Sequence, residues 1–434
     1  MRKVAFYLDS NIASNVDLSN ILRANPGMGG SEHMILCIAY LLSMRVNGIE
    51  VLLYSKTKVE LSGLPVVLVR NFDDVFKSID FLSVDYLVVK HNSGLHTILK
   101  PYKGKTRFVI WCHNFVEGEL SFYRDNINIA RLITVGKEQM ELYCDDMAFY
   151  KSDYIYNAIS TDIDAKYQSK LSLFKNRGNN VVYIGSLIEC KGFYYLARAW
   201  KDILKSVPDA NLYVIGSGRL YDRSLRLGKW GIADEAYERK FMHFLLENGK
   251  LLPSVHFMGI MGEEKNDILI NSKVGVPNPN GKTETFGCTA VEMQLMGCFV
   301  ATKRCPGYLD TVKNGILYDS TTDLSKVVVE LLKKEDNHYE ETYEYIKNNF
   351  SFDVVIEEWE LLFKSALPND ELLRNHSITT NRDNRLKGIK EKILKVKMRY
   401  PILSRIPSLE YLYWCMTKYP SRLINKLSTM SSLR

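Results

Sequence analysis

The chain has 434 residues, of which 46% are hydrophobic and 25% are charged. This composition is typical of a soluble globular protein of two or three domains, and it excludes a mainly disordered, collagen-like or disulfide-rich class. The net charge of +7 is uneven, because residues 381–434 carry 13 Lys/Arg and 3 Asp/Glu, whereas the remainder is slightly acidic at −3.

The lengths of the apolar runs and the spacing of the cysteines indicate the cellular compartment. The first ten residues hold only a short apolar run, too short for the core of a signal peptide. No apolar stretch approaches the ~20 residues that a membrane helix needs. The eight cysteines include no Cys-x-x-Cys pair, so we interpret them as reduced thiols rather than a disulfide frame or a metal site. We therefore expect a cytoplasmic protein.

Short apolar runs alternate with helical patterns along the first part of the chain. The runs predict strands at residues 4–8, 50–54, 66–69, 85–89, 107–112, 132–135 and 154–156. Helical spacing over residues 31–46, followed by Gly48, predicts the first helix. The polar stretch 161–180 comes next, and we place a linker between two domains there.

The same alternation resumes after the polar stretch. It predicts strands at 181–185, 211–215, 255–258, 273–276 and 299–302, and helices at 193–205, 235–247, 265–271, 288–296, 324–333, 339–348 and 354–365. Strand–helix alternation on both sides of the linker predicts an α/β protein with two Rossmann-like parallel-sheet domains, at 1–165 and 175–350. In such pairs the ligand lies at the carboxyl ends of the strands, in the cleft between the domains.

Two carboxylates, Glu284 and Glu292, stand eight residues apart at the start of a predicted helix. The spacing brings both to a similar face, so that they can meet one extended ligand. Free N–H groups at the helix start, around Phe286, Gly287 and Cys288, favour a phosphate. Carboxylates that accept hydrogen bonds from sugar hydroxyls beside a phosphate site suit a nucleotide-sugar. Two Glu on a helix are usually solvated, but the apolar neighbours of Glu292 make an idle charge there costly.

Two loops after predicted strands of the second domain contain glycine. Gly185 and Ser186 follow one strand, and Lys191 stands before the next helix, where its charge can meet a diphosphate. An isolated loop lysine more often faces solvent. Gly216 begins a Gly-Ser-Gly sequence that permits close backbone approach to a ligand. Tyr221 breaks the dinucleotide-binding G-x-G-x-x-G pattern, so this glycine pair alone is weak evidence.

The first domain offers two further candidates. Gly29 and Gly30 precede the first helix and form a candidate anion pocket at its N-terminus, although a turn capped by Ser31 is the alternative. His113 follows the strand predicted at 107–112 and is the histidine best placed to face the cleft. A lone histidine at a strand end is more often structural.

The order of these motifs resembles a known enzyme family. The segment from Glu284 through Phe286-Gly287 to Glu292, preceded by the Gly185–Lys191 and Gly216 loops, is the most specific part. With the earlier Gly29-Gly30 loop and His113, it resembles a family 4 retaining glycosyltransferase of the GT-B fold over residues 1–367. The resemblance implies an acceptor-binding first domain, a nucleotide-sugar-binding second domain, and a helix at 351–367 that crosses back to the first domain.

The resemblance also assigns roles to individual residues. It implies that Glu284 contacts the donor sugar and that Glu292 contacts the ribose hydroxyls. Lys191 would neutralise the leaving diphosphate, the Gly29-Gly30 loop would cover it, and His113 would lie near the reacting centre. The implied reaction transfers a sugar with retention to a glycan or lipid-linked saccharide, as in bacterial surface polysaccharide or lipopolysaccharide synthesis. Neither a metal nor another cofactor is expected.

One position departs from the family. An Arg usually follows the position of Gly185, whereas this chain has Ser186. Loss of that cation reduces stabilisation of the leaving group, unless Lys282, Lys303 or Arg304 compensates. The alternative function is therefore a catalytically inactive GT-B subunit that binds and positions a partner. Nothing specific indicates a GT-B epimerase or phosphorylase, and the glycine fingerprint of an NAD-dependent enzyme is missing.

Residues 381–434 lie outside the resemblance. Ile389, Ile393, Leu394 and Val396 follow helical spacing among lysines, and more apolar residues follow Pro401. Such a basic amphipathic tail suits a helix in the interface of an anionic membrane, and a docked helix with a solvated basic face is the alternative. We expect a peripheral position on the cytoplasmic face of the membrane, and no nucleic-acid partner because the rest of the chain is acidic.

Overall fold

The computed structural model describes residues 1–9, 16–116, 118–171, 173–220, 224–282, 284–365, 386–413 and 415–416. Its first domain is built on a seven-stranded sheet whose strand order is β3-β2-β1-β4-β5-β6-β7, with all neighbours parallel. Both faces of this sheet are covered, which explains why its strands are continuous apolar runs. The strands are β1 (Arg2–Leu8), β2 (Ile49–Ser55), β3 (Val66–Leu68), β4 (Tyr86–Lys90), β5 (Arg107–Cys112), β6 (Ile129–Thr134) and β7 (Ser152–Tyr154).

Helices connect these strands. The longest, α1 (Gly30–Arg45), starts directly after Gly29. Nine of its side chains, all between His33 and Leu42, are buried. The others are α2 (Phe72–Phe81), α3 (Leu95–Leu99), α4 (Leu120–Asp125) and α5 (Lys137–Glu141). A further helix, α6 (Ala165–Leu171), lies within the polar stretch in which the sequence analysis places a linker.

The second domain repeats the plan with a six-stranded parallel sheet of order β12-β9-β8-β13-β14-β15. Its strands are β8 (Asn180–Ile184), β9 (Asn211–Ile215), β12 (Val255–Gly259), β13 (Val274–Gly275), β14 (Phe299–Lys303) and β15 (Gly315–Tyr318), and a separate hairpin pairs β10 (Leu246–Glu247) with β11 (Lys250–Leu251). Its helices are α7 (Phe193–Ser206), α8 (Glu235–Met242), α9 (Lys265–Leu269), α10 (Cys288–Leu295), α11 (Pro306–Thr311), α12 (Leu324–Leu332) and α13 (Tyr339–Phe350). The prediction of two Rossmann-like parallel-sheet domains is confirmed.

The next helix, α14 (Phe352–Lys364), returns to the first domain. Its Trp359 ring lies 4.7 Å from that of Trp111 on β5 and 6.0 Å from that of Phe6 on β1, measured between centroids. Phe363 adds a second contact with Phe6. Trp359 and Phe363 are completely buried, so the core of the first domain includes residues from both sides of the second domain in sequence.

One helix was predicted wrongly at its end. The sequence predicts a helix over residues 235–247, but α8 ends at Met242 and the chain enters the β10–β11 hairpin. Asn248 and Gly249 both have positive φ, at 50° and 75°. An Asn-Gly pair favours this two-residue turn, and the turn interrupts a helix that apolar spacing alone would continue.

The basic tail contains one described helix, α15 (Lys387–Arg399), docked on the first domain. The sequence grouped Leu394 with Ile389 and Val396 on one apolar face, and this grouping is wrong. Leu394 is 9% exposed and packs against Met140, Cys144 and Phe149, whereas Ile389 and Val396 are 52% and 46% exposed. Trp414 and residues 417–434 lie outside the described residues.

Two lysines hold α15 in place. The Lys390 ammonium donates to the carbonyl oxygen of Leu142 at 2.8 Å, and that of Lys397 donates to the carbonyl of Asp145 at 2.6 Å. Both side chains are almost fully buried, so their positive charges serve attachment to the first domain. In the part of the chain that the structure describes, no helix combines the length and apolarity needed to cross a membrane.

Candidate active site

A cleft of about 510 Å³ lies between the two domains, at the carboxyl ends of both sheets. Strand ends from each domain supply its walls because parallel strands all finish at the same edge. The sequence-predicted residues that line it are Gly30, His113, Ser186, Lys191, Gly216, Glu284, Phe286, Gly287, Cys288 and Glu292. Gly29 is not among the lining residues; it is the N-cap of α1, and its carbonyl accepts a hydrogen bond from the His33 backbone N–H.

Glu284 and Lys191 form an ion pair in the second-domain wall. The Lys191 Nζ lies 3.0 Å from Glu284 Oε2, and the Asn278 side-chain amide donates to the same oxygen at 3.1 Å. The Lys191 side chain is 22% exposed and that of Glu284 is 16% exposed. The cation and the carboxylate that the sequence assigns to diphosphate and sugar therefore neutralise each other in this structure.

Glu292 forms a second pair with a lysine that the sequence analysis missed. Lys265 is the first residue of α9, and its Nζ lies 2.9 Å from Glu292 Oε2. The Lys265 side chain is 8% exposed, so its charge is balanced almost entirely by Glu292. Nothing in the sequence around residue 265 indicates this partnership, because the two residues belong to separate helices.

The third pair comes from the first domain. Lys90, the last residue of β4, places its Nζ 2.8 Å from Glu32 Oε1 and 3.2 Å from Ser31 Oγ. Burial by itself would raise the pKa of Glu32, but the charge and hydrogen bond of Lys90 outweigh it and lower that pKa below its usual value. Sequence analysis could have identified Lys90, because it is a charged residue at the carboxyl end of a buried strand.

The start of α10 is shaped by Gly287. This residue has a φ of +83°, and a Cβ there would approach the Tyr308 ring to 2.5 Å. No side chain caps the helix, and its first residues line the cleft, so its first N–H groups are available there as donors for an anion. Gly216 is equally restricted, since a Cβ would lie 1.9 Å from the carbonyl oxygen of Gly185. Gly287 is therefore required by its positive φ and by the Tyr308 ring, and Gly216 by the close approach of the Gly185 backbone.

His113 faces the cleft as a neutral imidazole. Burial, together with the nearby positive charge of Lys90, lowers its pKa to about 3. Its Nε2 atom is buried with no hydrogen-bond partner among the described residues. The His113 carbonyl accepts from Thr285 Oγ1 at 2.7 Å, which joins the two domains beside the cleft. The ring can therefore hydrogen-bond a ligand without carrying charge.

Ser186, which stands where the resembled family usually has Arg, is buried, and its hydroxyl donates to the carbonyl of Ser217 at 3.3 Å. The sequence analysis suggested Lys282, Lys303 and Arg304 as compensating cations, but none of the three lines the cleft. Arg304 instead pairs with Asp319 at the surface, 3.1 Å away. The lysines that do line it are Lys90, Lys191 and Lys265, and no cluster suited to a metal ion occurs among the described residues.

The sequence of the second domain is similar to known glycosyltransferases. Residues 178–334 match the family model described as glycosyl transferases group 1. An uncharacterized glycosyltransferase of Haemophilus influenzae is 24% identical over 184 residues, which is 39% of this chain and 50% of that protein. The alignment thus spans about half the length of the curated relative.

Solved structures share the fold over most of the chain. HepE from Anabaena, solved with UDP and glucose, has a TM-score of 0.59 and 14% identity, covering 84% of this chain and 100% of that one. A glycosyltransferase from Rickettsia africae has a TM-score of 0.62 and 14% identity, covering 85% and 99%. WaaG, a glycosyltransferase involved in lipopolysaccharide biosynthesis, has a TM-score of 0.52 and 13% identity, covering 83% and 100%. The architecture is the predicted GT-B fold, and the matches support a glycosyltransferase.

Proposed function

We propose that the chain is a retaining family 4 glycosyltransferase that uses a nucleotide-diphosphate-sugar. The observation that carries this proposal is the meeting of Glu284, Glu292 and the uncapped start of α10 in one interdomain cleft. A nucleotide-sugar presents the hydroxyls of its sugar on one side of the diphosphate and those of its ribose on the other. Two carboxylates on either side of an anion-binding helix start match that order of groups.

The proposed roles follow from charge and position. Glu284 would accept hydrogen bonds from the donor sugar, and Glu292 from the ribose hydroxyls. Lys191 and the N–H groups around Phe286–Cys288 would stabilise the departing diphosphate, so that no metal is required for this charge. The bond from the anomeric carbon to the diphosphate breaks with its electrons on the diphosphate. The acceptor hydroxyl bonds to the same face of that carbon, and its proton passes to the diphosphate oxygen.

Purified protein incubated with a panel of nucleotide-sugars tests this function. Slow hydrolysis of one donor, with the anomeric configuration of the product followed by NMR, is the expected result. Glu284→Gln and Glu292→Gln should each lose this activity, because each leaves a sugar or ribose hydroxyl without its acceptor. Glu330→Gln, a change at an exposed residue of α12, is the matched control. Nucleotide binding without turnover on any donor would favour the inactive-subunit alternative.

We also propose that the acceptor is a lipid-linked saccharide or a surface glycan precursor, reached at the cytoplasmic face of an anionic membrane. The docked tail supports this position. Its exposed apolar side chains include Ile389, Val396, Met398 and Ile402, the last 84% exposed. Exposed basic residues, Lys392, Lys395, Arg399 and Arg405, accompany them. Apolar groups that enter the interface beside cations that attract acidic lipids are typical of membrane-surface helices.

Flotation with vesicles of phosphatidylglycerol and phosphatidylcholine tests the membrane role. The full chain should float with the anionic vesicles at low salt. Val396→Ser combined with Ile402→Ser should reduce flotation, because both side chains are exposed and neither holds α15 on the first domain. Phe81→Ser, at an 87% exposed residue far from the tail in sequence, should bind like the wild type. Equal flotation of all three proteins would contradict the proposal.

A further inference from the structure

The cleft contains a cation whose role the motifs leave unassigned. Ser186 stands where a positive charge is expected, and its buried hydroxyl is directed to the Ser217 carbonyl. Three lysines line the cleft. Lys191 already has a role in the proposed function, so Lys90 and Lys265 remain as the candidates for the missing charge.

Lys265 is the weaker candidate of the two. Its Nζ lies 2.9 Å from Glu292 Oε2 and its side chain is 8% exposed. Glu292 would contact the ribose of the proposed donor, so the Lys265 charge serves to hold that carboxylate in place. Lys90 is 21% exposed and approaches the cleft from the opposite domain.

We propose that Lys90 binds the diphosphate of the donor and supplies the positive charge that Ser186 does not; this inference rests on the proposed function. A lysine ammonium has three N–H donors. Contacts with Glu32 Oε1 and Ser31 Oγ orient two of them, and the third can donate to a phosphate oxygen. Glu32 and Ser31 thus fix the position of the ammonium.

The surroundings of Lys90 form a place for an anion. Ser31 and Glu32 lie in the first turn of α1, whose N-cap Gly29 provides no side-chain cap. The Lys90 ammonium contacts the side chains of both residues, which brings it to this helix start. The second oxygen of Glu32, Oε2, accepts from Ser31 Oγ at 3.1 Å. His113, buried and with its Nε2 atom lacking a partner among the described residues, lines the same part of the cleft. The Lys90 ammonium and the neutral imidazole of His113 together supply donors suited to phosphate oxygens.

This assignment divides the phosphate-binding charge between the domains. Lys191 belongs to the second domain and Lys90 to the first. A diphosphate held by both would connect the domains, so the leaving group receives its full stabilisation only when the cleft is assembled. An Arg at position 186 would instead place both cations in the second domain. Ser186 in place of Arg therefore makes stabilisation of the leaving group depend on the first domain.

Calorimetric binding of UDP, and donor turnover, test the assignment. Lys90→Met should weaken UDP binding at least about tenfold and lower turnover about 100-fold, as expected for loss of a charged donor. Lys90→Arg should retain most of both. Lys77→Met, a change at an exposed residue of α2, should behave like the wild type. Thermal unfolding of each variant verifies that it is folded.

A second-site variant separates phosphate binding from a merely structural role. Ser186→Arg should restore at least part of the UDP affinity that Lys90→Met removes, because it returns a cation to the other side of the diphosphate. If wild type and Lys90→Met bind UDP equally, or if Ser186→Arg restores nothing in a folded double variant, the Lys90 assignment is wrong while the proposed function stands. If the wild type binds neither UDP nor another nucleoside diphosphate, the proposed function fails, and this assignment fails with it.

Discussion

Replacing Glu284 with Gln should strengthen the binding of UDP while it abolishes sugar transfer. The two effects have opposite signs because the carboxylate has two neighbours. It would contact the donor sugar, which UDP lacks, and it pairs with the Lys191 ammonium at 3.0 Å. A diphosphate must compete with Glu284 for that ammonium. Gln keeps the shape and can still accept from Asn278, but it removes the competing negative charge.

The size of the effect follows from the geometry of the pair. At 3.0 Å two unit charges attract by ~5.5 kcal/mol at an effective dielectric constant of about 20. Desolvation of both ions offsets most of this attraction. Hydrogen bonds to charged groups contribute about 1.5–3 kcal/mol net. The lower end of that range corresponds to about tenfold tighter UDP binding.

Isothermal titration of UDP into wild type, Glu284→Gln and Glu292→Gln measures the effect. Glu292→Gln is the informative control, because its carboxylate pairs with Lys265 instead and would contact the ribose that UDP retains. That variant should bind UDP more weakly than the wild type. Unchanged or weaker binding by Glu284→Gln would refute the competition between Glu284 and the diphosphate for Lys191.

Other predictions concern the leaving-group cation, a buried carboxyl and the hydrophobic core. Lys191→Ala should lower turnover at saturating donor at least ~100-fold, and unchanged turnover would mean that another residue holds the diphosphate. Burial raises the pKa of Asp310 from 3.8 to about 7, so its contribution to stability is complete below pH 3.8 and is lost as the pH rises through 7. The drop in thermal unfolding midpoint from pH 5 to pH 8 should therefore be smaller in Asp310→Asn than in the wild type, and equal drops would contradict this. Trp359→Ala should reduce the free energy of unfolding in urea by about 3–5 kcal/mol, whereas a loss below ~1 kcal/mol would show that α14 contributes little to the first domain.

The regular part of the fold could be predicted because both sheets are parallel and covered on both faces. Such strands are short continuous apolar runs, and β5 and β9 have the predicted limits. Local turn chemistry explains the error at α8, where Asn248 and Gly249 end the helical region. The edge strand β15 (Gly315–Tyr318) was not predicted.

The motif residues of the cleft could be found from spacing, but their charge partners could not. Glu284 and Glu292 are eight residues apart in one continuous motif, whereas Lys265 on α9 meets Glu292 on α10 only in the folded chain. Lys90 and Glu32 are 58 residues apart in sequence. The burial of two tail lysines could not be predicted for a related reason. Lys390 and Lys397 donate to backbone carbonyls of the first domain, whereas hydropathy treats every lysine as exposed.

The return of α14 to the first domain has a consequence for biosynthesis. Phe6 on β1 and Trp111 on β5 emerge early from the ribosome, but Trp359, which covers both, is added some 250 residues later. At ~5–20 residues per second, translation leaves this apolar surface of the nascent chain uncovered for about 12–50 seconds. The second domain, whose sheet is contiguous in sequence, can complete its own core first. The N-terminal domain is therefore the last to finish folding, and it is the stage at which a nascent chain would need a chaperone.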